Sequence, residues 1–189
     1  PFAFWNSLSI GVIDKLIIDY TLYGEWYPNN DLKDDNLTHT FIFIDIVSEY
    51  LSFINPENKK LKDLAIKLID KRLESLNGNF LISVNLNKSI CHMDTSLDFA
   101  ISIRRFGEII KNLNYISLSK KIILAILNFH KYNSAYATNY KIDNGIIELD
   151  KNTIDPKYNG LLLKGIIALE NFNTIIQENN YLHDIFKDR

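Results

Sequence analysis

The sequence predicts an all-α fold of repeated antiparallel helical hairpins, and three observations predict it. Apolar helical stretches are joined alternately by short and long links. The short links fall at Asn55-Pro56, around Leu113-Asn114-Tyr115 and near Asn179-Asn180, and the long ones run from Gly78 to Met93 and from Asn133 to Lys157. Every second helix, starting near Thr38, Thr95 and Tyr158, is apolar nearly all round, as an inner helix should be, whereas the helix over 56–76 is one-sided. These starts recur at near-even intervals, the mark of a hairpin repeat that adds one inner and one outer helix at a time.

The elements follow in order. A first helix is expected over Trp5–Tyr23, with Leu8, Val12, Leu16 and Ile17 on one face, and the turn-rich stretch Gly24–Asn36 ends it. The second runs from Thr38 to Ile54. Asn55-Pro56-Glu57 stops it and starts the third, with Asn55 as cap, Pro56 at the first helical position and an acid in the first turn. The third places Leu61, Leu64, Ala65, Leu68 and Leu76 opposite a Lys/Asp/Glu face and closes at Asn77-Gly78. The fourth is expected over Thr95–Asn112, and the fifth over Leu118–Tyr132 with Ser117 as cap. A sixth from Tyr158 to Glu178 precedes a short amphipathic tail ending at Arg189. Two β excursions sit inside the long links. Phe80–Val84 reads as a strand, and Lys141–Leu149 as a hairpin turning on Asn144-Gly145.

Composition narrows the function classes. A net charge of −2 with interspersed signs offers no basic stripe, so nucleic-acid binding is not expected. The stretch Phe41–Ile54 is interrupted by Asp45, Ser48 and Glu49, so no membrane span is expected. A single cysteine, Cys91, forms no intrachain disulfide and fits a cytoplasmic location. No phosphate-binding loop, dinucleotide fingerprint or Gly-x-Ser-x-Gly elbow is present, and no cofactor is expected. His39, His92, Asp94 and His130 lack the i, i+4 spacing of a strong zinc motif, so no metal is expected. His183-Asp184 stands in the tail without partners for a metal site.

Short links make antiparallel helix pairs, so both long links must lie at one end of the array. Loops gathered on one rim of a rigid scaffold are where binding residues concentrate. Polar residues cluster there at the inner-helix starts: Asp34, Asp35 and His39; His92 and Asp94; Asp155, Lys157, Tyr158 and Asn159, with His130 near the same end. Trp26, Tyr27, Tyr136 and Tyr140 in the preceding loops are candidates to stack on a sugar ring. Paired carboxylates suit glycoside chemistry, one protonated as acid and the other ionised as base or nucleophile. Asp35 and Asp94 are the acids of choice, with Asp34 and Asp155 one helix register away. The bland reading of the same acids is helix capping, favoured by the positive end of the helix dipole. Cys91 beside His92 suggests a thiol–imidazole pair, but adjacent residues seldom present both groups to one substrate. Arg104 with Glu108 reads as an ordinary i, i+4 ion pair.

The chain resembles the six-hairpin glycosidase-like superfamily, the (α/α) toroids. The resemblance is carried by Asn55–Ala65 (NPENKKLKDLA), by Asn77-Gly78-Asn79-Phe80, and by Lys157-Tyr158-Asn159-Gly160-Leu161-Leu162. As a pattern of elements it extends from Asp34 to Glu178. It implies acids on the rim at the starts of inner helices, and Asp34-Asp35 sits where a branch resembling endo-acting α-mannanases carries an adjacent Asp pair. The chain supplies about three and a half hairpins of such a ring. Residues 1–189 are thus expected to be a single helical-hairpin domain, either part of a longer chain or an incomplete toroid. The expected function is a carbohydrate-active domain of hydrolase, lyase or epimerase type. The alternative is a non-catalytic hairpin domain binding a glycan or protein partner on its long-loop rim, with a homo-oligomer or further hairpins of the same protein covering the open ring.

Overall fold

The computed structural model describes residues 37–84, 90–129, 131–132, 135–136, 139–143 and 146–150, together with Gly11, Lys15, Gly160, Leu163 and Ile167 as helical positions. The expected helices over 5–23 and 158–178 otherwise lie outside the described residues. Four helices are described: α1 (Leu37–Phe53), α2 (Lys59–Leu73), α3 (Met93–Ile110) and α4 (Leu113–Phe129). Five short strands accompany them: β1 (Ile90–His92), β2 (Lys131–Tyr132), β3 (Ala135–Tyr136), β4 (Asn139–Asp143) and β5 (Ile146–Leu149). Helix α1 packs against α2 and α3, and α3 against α4, so α1 and α3 are the inner pair and α2 and α4 their outer partners.

The core is continuous across all four helices. Phe43, Ile44, Val47 and Leu51 of α1 meet Leu61, Ala65 and Ile69 of α2 and Leu97, Phe99, Ile103 and Phe106 of α3, with Ile122, Ile123 and Ile126 closing it from α4. The inner helix α1 is not buried all round as expected: Ile42, Glu49 and Phe53 are exposed along its length. The outer helix α4 also carries a wide apolar run, Ile122–Leu127. Its Ala125 faces a second small cluster with Leu81, Cys91 and Tyr140, so this outer helix covers the core and a rim sheet at once. Polar bonds also link the helices. The buried Arg72 of α2 donates from Nε to Thr40 Oγ1 of α1 (2.9 Å), and Tyr115 of α4 donates its hydroxyl to Asp70 of α2 (2.9 Å).

Asparagine side chains set the helix ends, and they move several expected boundaries. Asn55 does not cap α2. Its side chain accepts from Glu57 N in a local turn, and the cap is Asn58, whose Oδ1 accepts from Leu61 N (3.1 Å). Pro56 and Glu57 therefore precede the helix. Helix α2 ends at Leu73, three residues early, because Asn77 organises a tight turn in which its side chain accepts from Asn79 N and Leu81 N. Helix α4 starts at Leu113, five residues before the expected Leu118, and Ser117 lies inside it. Its cap is Asn112, accepting from Asn114 N and Tyr115 N. The short link is just Lys111-Asn112, with Lys111 left-handed at φ 57° and Asn112 N donating to Gly107 O (2.7 Å).

The β elements also differ from expectation. Phe80–Val84 is not a strand. Phe80 is left-handed at φ 60°, the Asn77 turn takes up Leu81, and only an isolated bridge between Leu76 and Ile82 forms. The hairpin over 141–149 is present as β4–β5, Asp143 facing Ile146 with two residues between the strands. Helix α4 stops at Phe129 rather than Tyr132, since Lys131–Tyr132 pairs with Ala135–Tyr136.

Gly107 sits where α4 turns back on α3. A Cβ there would lie 3.0 Å from Tyr115 Cβ, 3.1 Å from Asn112 O and 3.3 Å from Ile116 Cγ1, none of them the free end of a long side chain. Gly107→Ala, which in an open helix would gain about 1 kcal/mol in propensity, is expected here to lose about 1–2 kcal/mol from overpacking. A urea midpoint equal to or above the parent's would contradict that reading of the turn.

Candidate functional site

The two long links meet. Strand β1 from the first pairs antiparallel with β4 from the second, Cys91 opposite Tyr140, and β5 extends the sheet in the order β1-β4-β5. The expectation that both links lie at one end therefore holds for their described parts. The same sheet reaches the inner helices. Val84 N donates to Ile90 O (2.9 Å), Leu37 N at the start of α1 donates to Val84 O (2.7 Å), and β1 runs directly into α3 at Met93. One hydrogen-bonded strip thus joins both inner-helix starts to both long links.

Four of the expected site residues lie among those whose side chains are described. His39 in the first turn of α1, His92 at the end of β1 and Asp94 in the first turn of α3 come to this same end, all half-buried. His92 occupies the cap position of α3 with extended backbone but makes no side-chain capping bond. Asp94 accepts from Thr95 N (2.8 Å) and Thr95 Oγ1 (3.2 Å), a local helix-start arrangement. Tyr140 is not the stacking platform expected: its ring is 0% exposed, packed with Leu81, Cys91 and Ala125, and it serves as a structural plug. The alternation of β4 turns it inward toward α4. Asp34, Asp35, Asp155, Trp26, Tyr27, His130, Lys157, Tyr158 and Asn159 lie outside the described residues, and of Tyr136 only the backbone, in β3, is described.

The thiol–imidazole idea fails on strand geometry. Cys91 is fully buried and His92, its neighbour along β1, points to the opposite face. Burial pushes the Cys91 thiol up to about 11, although hydrogen bonds with Tyr140 and Ser83 pull it back down. Tyr140 is likewise raised well above the usual phenol range, first by burial and then by the thiol beside it. The ion pair Arg104–Glu108 is present at 2.8 Å, and Arg105 reaches Glu49 across the inner helices. Among the described residues no group of His, Cys, Asp and Glu is placed to hold a metal ion, and no helix is long and apolar enough to cross a membrane. The sequence reading did not mark Asn139 and Asp150. The strand register sets them in line with His92, and no local signal in the sequence could show that.

The hairpin array has the fold of part of an (α/α) toroid. The structure is similar to an α-1,6-mannanase from Salegentibacter sp. HEL1_6, an inactive variant with two adjacent aspartates replaced, solved in complex with α-1,6-mannotriose. The TM-score is 0.62 at 15% identity, over 83% of this chain and 46% of that one. Another structure of that mannanase matches with a TM-score of 0.62 at 14% identity, over 90% of this chain and 55% of that one. A sugar epimerase from a ruminal bacterium matches with a TM-score of 0.61 at 13% identity, over 85% of this chain and 43% of that one. The chain thus spans about half the length of these toroids. No family model and no curated protein matches the sequence.

The buried thiol gives a direct test of the rim's packing. At pH 8 a thiol held near 11 carries about 100-fold less thiolate than an ordinary one, so alkylation of the folded chain should be slower than in urea by at least that factor. The unfolded thiol ionises first, near the ordinary 9.0, so the folded state binds the extra proton between about 9 and about 11. Stability should therefore fall as pH rises through that window. Labelling at the unfolded rate without denaturant would show that the two links are not closed over Cys91.

Proposed function

We propose that this chain is a carbohydrate-active helical toroid domain that takes a saccharide on its long-loop rim. The observation that carries the reading is the β1–β4 pairing, which gathers both long links over the starts of α1 and α3. The toroids it resembles support it: one is an α-1,6-mannanase solved with α-1,6-mannotriose and, in another variant, with a mannotetraose, and another is a sugar epimerase. The reaction is of glycoside hydrolase, lyase or epimerase type, with Asp35 and Asp94 as the acids and Asp34 and Asp155 as their substitutes. Trp26 and Tyr27 serve as stacking platforms, and His39, His92, His130, Lys157, Tyr158 and Asn159 as polar contacts. Two carboxylates about 5–10 Å apart would suit a retaining or inverting cleavage.

The second reading is a non-catalytic domain that binds a glycan or a protein partner on the same rim. The bonding of Asp94 favours it, since a carboxylate engaged by Thr95 N and Oγ1 behaves as a helix-start residue.

Two measurements separate the readings. Titration with a panel of oligosaccharides, α-1,6-linked manno-oligosaccharides among them, should change tryptophan fluorescence through Trp26; a flat response across chemically diverse glycans would sink the proposal. On a substrate that the parent turns over, Asp35→Asn and Asp94→Asn should each cost about 100-fold or more in rate while the chain stays folded. Folded variants as active as the parent would leave the carboxylates as caps and make the binding domain the better account.

A further inference from the structure

The sheet β1-β4-β5 has two chemically different faces. Side chains alternate along a strand, so Cys91, Tyr140 and Leu149 share the face that packs on Leu81 and on Ala125 of α4. The opposite face, turned away from that outer helix, carries polar groups in rows set by the register. His92 lies opposite Asn139. Because Tyr140 faces Leu149, Asn139 in turn stands opposite Asp150, whose N–H donates to Asn139 O (3.0 Å). The next row along the same face is Ile90, Lys141 and Glu148. Lys141 and Glu148 are exposed, and His92, Asn139 and Asp150 half-buried.

We infer that the row His92–Asn139–Asp150 is a binding surface for the hydroxyl groups of a neutral saccharide, a deepening that rests on the rim reading above. Three features favour that ligand class. The row mixes an acceptor-only carboxylate, an amide with both donors and acceptor, and an imidazole. Adjacent sugar hydroxyls, each donor and acceptor, match such a set. Directly opposite side chains have Cβ atoms ~5 Å apart, so the row spans about 10 Å over three strands, enough for its side chains to reach hydroxyls on both edges of a sugar ring lying between them. A metal whose ligands must all come within about 2–2.6 Å does not fit that spread. An anion is not favoured either, since the cation in the next row, Lys141, is faced by Glu148. The row also continues into the site already described, because His92 is followed directly by Met93 and Asp94 at the start of α3.

Calorimetric titration of the full chain with the oligosaccharide that gives the parent its strongest response tests this. Asp150→Asn, Asn139→Ala and His92→Gln stand on three different strands or strand ends, and each is expected to raise the Kd by about tenfold or more, the cost of a hydrogen bond to a polar or charged partner. Circular dichroism should show each variant still folded at the titration temperature. Should Asn139→Ala disturb the strand, the near-isosteric Asp150→Asn and His92→Gln decide the matter. If the parent binds and these two variants bind equally well, the sheet face is overturned as a contact surface, His92 with it, while saccharide binding through the other rim residues stands. If the parent binds no glycan in the panel, both are overturned.

Discussion

The antiparallel pairing of Cys91 with Tyr140 is the contact on which the rest of this end of the molecule depends. Each residue belongs to a different long link, and neither link could order itself alone: a three-residue strand has too little surface to bury and too few bonds to offset its lost chain entropy. Pairing solves both problems together. The ladder satisfies the backbone groups, and the inward face places a buried thiol, a buried phenol and Leu81 against Ala125 of α4. Since Val84 then bridges Ile90 and the first residue of α1, the sheet also sets the height at which the inner helices begin.

Away from the rim, the geometry is governed by how tightly successive helices reverse. Two residues suffice between α3 and α4. Lys111 takes up the left-handed conformation, the Asn112 side chain caps the next helix, and Gly107 leaves room for the returning chain. The reversal between α1 and α2 is longer and uses two asparagines, one for the turn and one for the cap. At the rim end the turn built on Asn77 works in the same way and holds left-handed Phe80, with Lys121 of α4 5.0 Å above its ring. Short asparagine side chains can replace missing backbone partners at each of these places, which explains why the elements end so abruptly.

This division of labour suits the proposed function. The reversals far from the rim are short and closed by local bonds, while the segments at the rim are long and depend on one another. Ligand contacts there would come from residues distant in sequence and held by a shared sheet, so their relative placement is set by strand register rather than by loop conformation. Tyr140 shows the consequence for side chains. Its neighbours Asn139 and Lys141 face one way and the ring faces the other, so a single residue step separates a plug from a potential contact.

Apolar periodicity and link length in the sequence were enough to read the described hairpins, their inner and outer helices, the hairpin of β4 and β5, and the gathering of the long links at one end. Both are properties carried by neighbouring residues. Helix ends were legible to within a few residues where one cap candidate stood alone and misleading where several asparagines competed, as at Asn55 and Asn58. Long-range packing was needed to make Phe80–Val84 a bridge instead of a strand, to make Ile90–His92 the strand that crosses between links, and to bury Tyr140. It alone brought Asn139 and Asp150 into line with His92. Pairing between segments some fifty residues apart leaves no local trace. Which of two adjacent side chains faces the core depends on that register, and the register is set only when both strands find the same apolar floor.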